Sequence, residues 1–292
     1  MLYGVLLAFV AMLSWGVGDF LIQKSTRRAG NWGTLFAITL VGTIILLPFS
    51  VGKVWTLVLS GDTKTLVVLF GTSIVLLVAA LLDFEALRVG KITVVEPIWS
   101  TEIIFSALLA FIVLKESLSL WQVVLIIAVF FGLLLVSVRK CGYFKLKHFI
   151  FERGVFLAFL AALMMGGANF MFGWGARISD PILVNFFVNV VVTVLTGLHL
   201  IQRNKFGKLI RDVKESPKLF VAMTISDNIA WIAFAFAMTL APIGVVVALS
   251  ESYIIIAVLL GYFVSREKLQ AHQKFGIILG CAAILVLAYI TA

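Results

Sequence analysis

The chain has 292 residues, 62% of them hydrophobic and only 13% charged, with a mean hydropathy of +1.15. Soluble domains sit nearer about 45–50% apolar, so the composition argues against a water-soluble globular fold. The net charge of +9 would suggest nucleic acid in a soluble protein. Here the cations fall in short loops between apolar runs and point instead to membrane topology and anionic headgroups, with no nucleic-acid partner.

Apolar runs long enough to cross a bilayer recur along the chain. In order they predict ten transmembrane helices, at residues 2–24, 33–50, 65–88, 92–114, 118–138, 154–175, 182–201, 217–240, 243–264 and 273–290. The first residues lack a basic n-region and run straight into a full span, which predicts a transmembrane helix rather than a cleaved signal. The longer polar breaks are 51–64, 139–153 and 202–216. The fold class expected is an all-α membrane protein.

The sequence also repeats itself. Gly4-Val5-Leu6-Leu7-Ala8-Phe9 reappears as Gly154-Val155-Phe156-Leu157-Ala158-Phe159, and Ala11, Leu13, Gly16 and Phe20 find Ala161, Leu163, Gly166 and Phe170 at the same offset of 150. Lys115-Glu116-Ser117-Leu118 matches Arg266-Glu267-Lys268-Leu269, and Gln122 matches Gln273, at an offset of 151. The expected organisation is a first five-helix repeat over 1–140 and a second over 151–292. Two copies of a unit with an odd number of spans lie inverted in the membrane, the architecture of many secondary transporters, with substrate held near the midplane where the repeats meet. Connections 1–2, 3–4, 5–6, 7–8 and 9–10 carry most of the Lys and Arg, so the positive-inside rule places both termini outside.

Of the fourteen Asp and Glu residues, seven lie within or at the edge of spans: Asp19, Asp83, Glu85, Glu96, Glu102, Asp227 and Glu251. Asp19, Asp83 and Glu85 are near helix ends, where interfacial anchoring competes with function. Glu102, Asp227 and Glu251 are near mid-span. A charge there costs roughly 2.5–3.5 kcal/mol on insertion scales and is a functional hypothesis by default. On the fourth span Glu96, Trp99 and Glu102 are spaced i, i+3, i+6 and share one sector. Pro97 leaves the carbonyl of Thr93 without its helical donor, which predicts a kink. Carboxylates flanking an indole suit an amine by charge and by cation–π attraction. Asp227 and Trp231 lie i, i+4 on the eighth span with Asn228 beside them. Glu251 and Tyr253 interrupt the ninth, Asn169 and Trp174 are on the sixth, and Trp15 and Asp19 on the first. The candidate substrate-binding set is therefore Trp15, Asp19, Glu96, Trp99, Glu102, Asn169, Asp227, Trp231, Glu251 and Tyr253. The same carboxyl groups could instead carry protons.

Other chemistries find little support. Gly16-Val17-Gly18-Asp19 resembles the GxGD signature of intramembrane aspartyl proteases, but that chemistry needs a second aspartate, in that family within Tyr-Asp, and no Tyr-Asp occurs. No nucleophile elbow, HExxH, Walker loop or Cys/His cluster appears, so neither an enzyme nor a cofactor or metal is expected. The two cysteines, Cys141 and Cys281, form no motif. Gly276-x-x-x-Gly280 allows close helix approach, for tight packing or a homodimer face.

Ala86-Leu87, Glu96-Pro97, the run Ser106-Ala107-Leu108-Leu109-Ala110, Leu114-Lys115-Glu116-Ser117-Leu118 with Gln122, Trp15-Gly16 and Arg266-Glu267-Lys268-Leu269 together resemble the EamA family of the drug/metabolite transporter superfamily. The resemblance covers essentially the whole chain. It implies an inverted five-plus-five transporter of the cell membrane, with cytoplasmic termini and a central cavity lined mainly by spans 1, 3, 4, 6, 8 and 9. It also implies cargo such as amino acids, amines, nucleobases, sugars or nucleotide-linked metabolites, often by proton-coupled exchange or facilitated efflux. The second-half counterparts of Glu96 and Pro97 are Val247 and Ala248, and the acid comes later, at Glu251. The expected function is secondary transport of a small polar metabolite, an amine, quaternary amine or amino acid. A sugar, nucleoside or anionic substrate is the alternative within transport, and a membrane-embedded enzyme or scaffold the alternative outside it.

Overall fold

The computed structural model describes residues 1–89, 98–138, 153–264 and 269–292. Among these, eleven helices follow in order: α1 Leu2–Ser60, α2 Thr63–Val89, α3 Glu102–Val113, α4 Leu120–Ser137, α5 Arg153–Ile178, α6 Pro181–Gln202, α7 Phe206–Glu215, α8 Pro217–Leu240, α9 Ile243–Ser250, α10 Tyr253–Val264 and α11 Ala271–Thr291. Among the described residues, eight stretches are long and apolar enough to cross a membrane, and α3 and the stretch from Ile243 to Ile256, which spans α9 and the start of α10, are apolar but shorter.

The elements differ from the sequence expectation in four places. The first two spans are two helices that follow one another without a loop, meeting at a kink at Gly30, which adopts φ 74°, ψ 170°. A side chain would be strained there, so glycine makes the bend. The expected break at 51–64 shrinks, because helix continues to Ser60 and ends on Gly61 in the left-handed region at φ 65°. Asp62 starts the next helix, accepting from the amide of Thr65 at 3.1 Å and from its hydroxyl at 2.6 Å. The break at 202–216 contains α7, an amphipathic helix. Phe206, Leu209 and Val213 of α7 pack on Ile38, Leu200, Phe220 and Met223. Finally, neither the fourth nor the ninth span is continuous. One helix stops at Ser100–Thr101 before α3 begins, and the other stops at Glu251–Ser252 between α9 and α10. The two breaks are 151 residues apart, the offset of the sequence repeat.

The matched glutamines Gln122 and Gln273 do equivalent work. Each closes a capping box at its helix start, with Ser119 on α4 and Gln270 on α11. Each then donates across to the other helix. Gln122 Nε2 reaches Thr291 Oγ1 at 3.1 Å, and Gln273 Nε2 reaches the Val136 carbonyl at 2.9 Å. The start of one helix is thus tied to the end of the other. Gly276 and Gly280 spend their small surface in the same pair. A Cβ on Gly276 would lie 2.7 Å from the Gly132 carbonyl oxygen. That stripe serves packing within the chain, and its face is already covered.

At one end of the bundle Arg177 and Glu116 clasp four elements together. The Arg177 guanidinium donates to the carbonyls of Met238 at 2.7 Å and Ala241 at 2.9 Å and to Glu116 at 2.8 Å. Glu116 also accepts from the first amide of α9, that of Ile243, at 3.0 Å. At this end Asp180 caps α6 through the amides of Ile182 and Leu183 and pairs with Lys53 at 2.6 Å. Burial opposes ionisation of Asp180, but the bonds from Lys53, Leu183 and Ile182 outweigh it and hold the carboxyl below its usual range. Replacing an N-cap aspartate by alanine costs about 1 kcal/mol. Because folding lowers this pKa, its contribution is complete above the unfolded-state value and fades as pH falls through the folded one. Thermal unfolding of Asp180→Ala beside the unmodified protein should show the deficit at neutral pH and a narrowing gap in acid.

Large apolar side chains such as Phe49, Trp55, Phe70, Phe111, Trp121 and Tyr289 face outward. In water such a surface would aggregate, whereas against lipid tails it carries no penalty. The buried core joins Trp15, Ile103, Phe172, Phe234 and Leu249 from five different elements.

Candidate functional site

The site forms where the two helix breaks meet. Glu102 opens α3 directly after the turn at Ser100–Thr101, and it is 1% exposed. Glu251 occupies the turn between α9 and α10 and is 7% exposed. Each is held by a helix end, a rigid support of fixed direction. The Glu102 side chain takes hydrogen-bonding contact from the side chains of Glu251 and Trp99, and Asp83 of α2 is close enough to act on it electrostatically. Glu102 Oε2 remains buried without a partner. Two carboxyl groups hydrogen-bond to each other only when one holds a proton. The arrangement can therefore carry a single proton between two acids, or exchange it for a cation.

Beside the acids stands an aromatic box. The Trp15 indole meets Trp231 at 5.1 Å and Phe234 at 5.0 Å between ring centroids, both edge to face, and lies 6.4 Å from Tyr253. Phe172 meets Trp231 at 4.9 Å. Edge-to-face pairs at these separations are the favoured geometry for aromatic rings. Tyr253 is two residues after Glu251, so the box and the acid pair share one helix break.

The structure thus unites Trp99, Glu102 and Glu251 in one cluster and Trp15, Trp231 and Tyr253 in the next. Asn169 is 1% exposed on α5, with its Nδ2 unpartnered. Asp227 is buried where α8 crosses α1 beside Gly18 and Ser14; the neighbouring Ser226 hydroxyl donates to the Ser14 carbonyl at 2.7 Å. Glu96 and Pro97, with the kink expected there, lie outside the described residues, as does the side chain of Asp19. Two members were missed from sequence, Phe172 and Phe234. Helical spacing held the signal, since Phe234 is i+3 from Trp231 and Phe172 is i+3 from Asn169. Asp83, for which interfacial anchoring competed with function, stands close enough to Glu102 to act on it electrostatically.

No group of three or more metal-ligating side chains occurs among the described residues. A cleft of about 550 Å³ lined by Leu47, Val51, Gly52, Val54, Trp55 and Phe186 opens on the apolar outer surface. Its walls hold no charged group, so it offers a polar solute no partner.

The family model of the EamA-like transporter family matches residues 2–138 and again 152–289. The chain belongs to that family. It is therefore a multi-pass membrane transporter of the drug/metabolite transporter superfamily. No curated protein matches it. A solved crystal structure, of a protein named no further, superposes with a TM-score of 0.71 over 98% of this chain and 95% of its own, at 16% identity. At that identity the likeness speaks for the fold alone.

Proposed function

We propose that this EamA-family chain is a secondary transporter of the cytoplasmic membrane that moves a small polar metabolite bearing a cationic nitrogen, an amine, quaternary amine or amino acid. It works by alternating access, and the acid pair exchanges substrate against a proton. The observation that carries this reading is the meeting of Glu102 and Glu251 at two helix breaks, one in each half of the sequence. Discontinuous helices at the centre of a transporter expose backbone and acids to a cavity where continuous helices would bury them against lipid. The aromatic box supplies π faces for the cation. In this reading the broken helices are the fourth and ninth of ten spans, the repeats 1–140 and 151–292 are inverted, and alternate packing of the repeats opens the site to each side.

A sugar, nucleoside or anionic substrate is disfavoured by the chemistry of the centre. Among the described residues the buried polar groups are acids, amides and hydroxyls, with no lysine or arginine to meet an anion. The experiment is a thermal-stabilisation screen of the purified protein with amines, quaternary amines, amino acids, nucleosides and sugars, followed by uptake into proteoliposomes with and without an imposed pH gradient. Stabilisation by nitrogen cations and acceleration of their uptake by the gradient are expected. Stabilisation confined to sugars or anions would overturn the substrate class, and uptake indifferent to the gradient would overturn proton exchange.

A further inference from the structure

At the end of the bundle opposite the Arg177 clasp, residues 203–218 hold six Lys and Arg against two acids. Helix α7 carries the centre of this stretch. The chain leaves α6 through Asn204, whose φ of 53° turns it back into α7. Phe206, Leu209 and Val213, spaced i, i+3, i+7, make the inner face and pack on Leu200 in the last turn of α6 and Phe220 in the first turn of α8. Phe206 also meets Phe36 edge to face at 5.2 Å between ring centroids. Close by, Trp32 stacks on His199 at 3.8 Å, an aromatic marker of membrane-interface depth. Contact with the end turns of two spans therefore holds α7 at the level of the lipid headgroups. The kink at Gly30 comes up beside it. Lys208 Nζ donates to the Arg28 carbonyl at 2.6 Å, and the Arg28 guanidinium donates to the Ser216 hydroxyl just past α7.

The outer face of α7 is cationic and unanswered. Lys208 pairs with Asp212 at 3.4 Å, but among the described residues Lys205, Arg211 and Lys214 meet no acid, and all three are exposed. The other end of the bundle differs, since Lys53 pairs there with Asp180 and Arg177 with Glu116. Ile210, one turn before Lys214, is 47% exposed on the flank of the same face. A phosphate dissolved in water has no use for that isoleucine, whereas a lipid brings an acyl chain with its headgroup. Interfacial helices commonly lay their apolar face in the lipid. Helix α7 spends that face on the protein, so its height is fixed and the headgroups come to its cations. From this we infer that the outer face of α7, with Arg28 at the kink, is a binding site for anionic phospholipid. The headgroup phosphates lie against Lys205, Arg211 and Lys214, and the bound lipid fastens α7 over the kink of α1. The site is independent of the transport centre and of what that centre carries.

The test measures half-saturating concentrations for thermal stabilisation of the full chain in detergent by dioleoylphosphatidylglycerol, dioleoylphosphatidylcholine and glycerol 1-phosphate. Each cation at an anionic surface strengthens binding by about fivefold, so the anionic lipid should act at a concentration at least about tenfold below the zwitterionic one. The preference should fade in about 1 M salt, where the Debye length is only about 3 Å. The triple variant Lys205→Gln, Arg211→Gln, Lys214→Gln removes charges that make no recorded side-chain bond, so it should fold and bring the two lipids within about twofold of each other. Lys64→Gln with Lys115→Gln, at the other end, should leave the preference intact. Equal action of the two lipids on the unmodified protein overturns the inference. A preference that survives the triple variant, or falls as far in the Lys64 and Lys115 variant, overturns the placement on α7. Stabilisation by glycerol 1-phosphate at the same concentration as the anionic lipid assigns the cations to a soluble anion and overturns the lipid as ligand.

Discussion

Glu102→Gln should reduce substrate flux in proteoliposomes to the level of empty vesicles while leaving the protein folded. The side chain is fully enclosed, and glutamine keeps its volume, so no cavity opens. What disappears is the acid. The amide cannot take up or release a proton, and it offers a cation no charge. Stability should stay within about 1 kcal/mol of the unmodified protein or rise, because an enclosed acid pair is a poor source of stability. Glu251→Gln should behave in the same way. The double replacement should add nothing to either single one, as expected for residues acting as one unit. Wild-type flux in either single variant would sink the acid pair as the transport centre. Loss of the cooperative melting transition in either single variant would assign the acids to structure.

The second large effect is expected at Gly132, far from that centre. A Cβ there would lie 2.8 Å from the Cα and the amide nitrogen of Gly280 and 3.1 Å from the Gly276 carbonyl. All three obstacles are backbone, which cannot rotate away as a side chain can. Gly132→Val must therefore push α4 and α11 apart. The displacement also pulls on the cross-links from Gln122 to Thr291 and from Gln273 to Val136. We expect a loss of about 3 kcal/mol, the upper range for overpacking, read as a lower melting temperature in detergent. Ligand binding per folded molecule should be unchanged, since the pair lies outside the acid and aromatic clusters. A variant as stable as the parent would mean that the two helices have room the close backbone contact denies.

These two sites show what different kinds of residue reveal. Gln122 and Gln273 were paired by the repeat, but their capping boxes and the bonds each makes to the other helix came only with the structure. Nothing local in the sequence showed that Gly30 would form the kink between two helices or that Gly61 would end the second of them. Glu102 and Glu251 stood out singly by the cost of an acid at mid-span. That they touch was not legible, since they are 149 residues apart and come from elements whose facing sides depend on the packing of all the others. The break at Ser100–Thr101 lies three residues past Pro97, the only local signal for it.

The sequence alone determined that this chain is a membrane protein of two related halves, and it already carried the residues of its family. Hydropathy and repeat are properties of neighbouring residues or of fixed offsets, so they survive without a fold. Only the tertiary structure decided that the two helices break at equivalent points, that Glu102 meets Glu251 across them, and that Phe172 and Phe234 complete the box around Trp15 and Trp231. It also decided which buried atoms are left without partners. Those facts arise from helix faces docking over long sequence separations, where close packing selects one arrangement among many that the same pattern of apolar residues would allow.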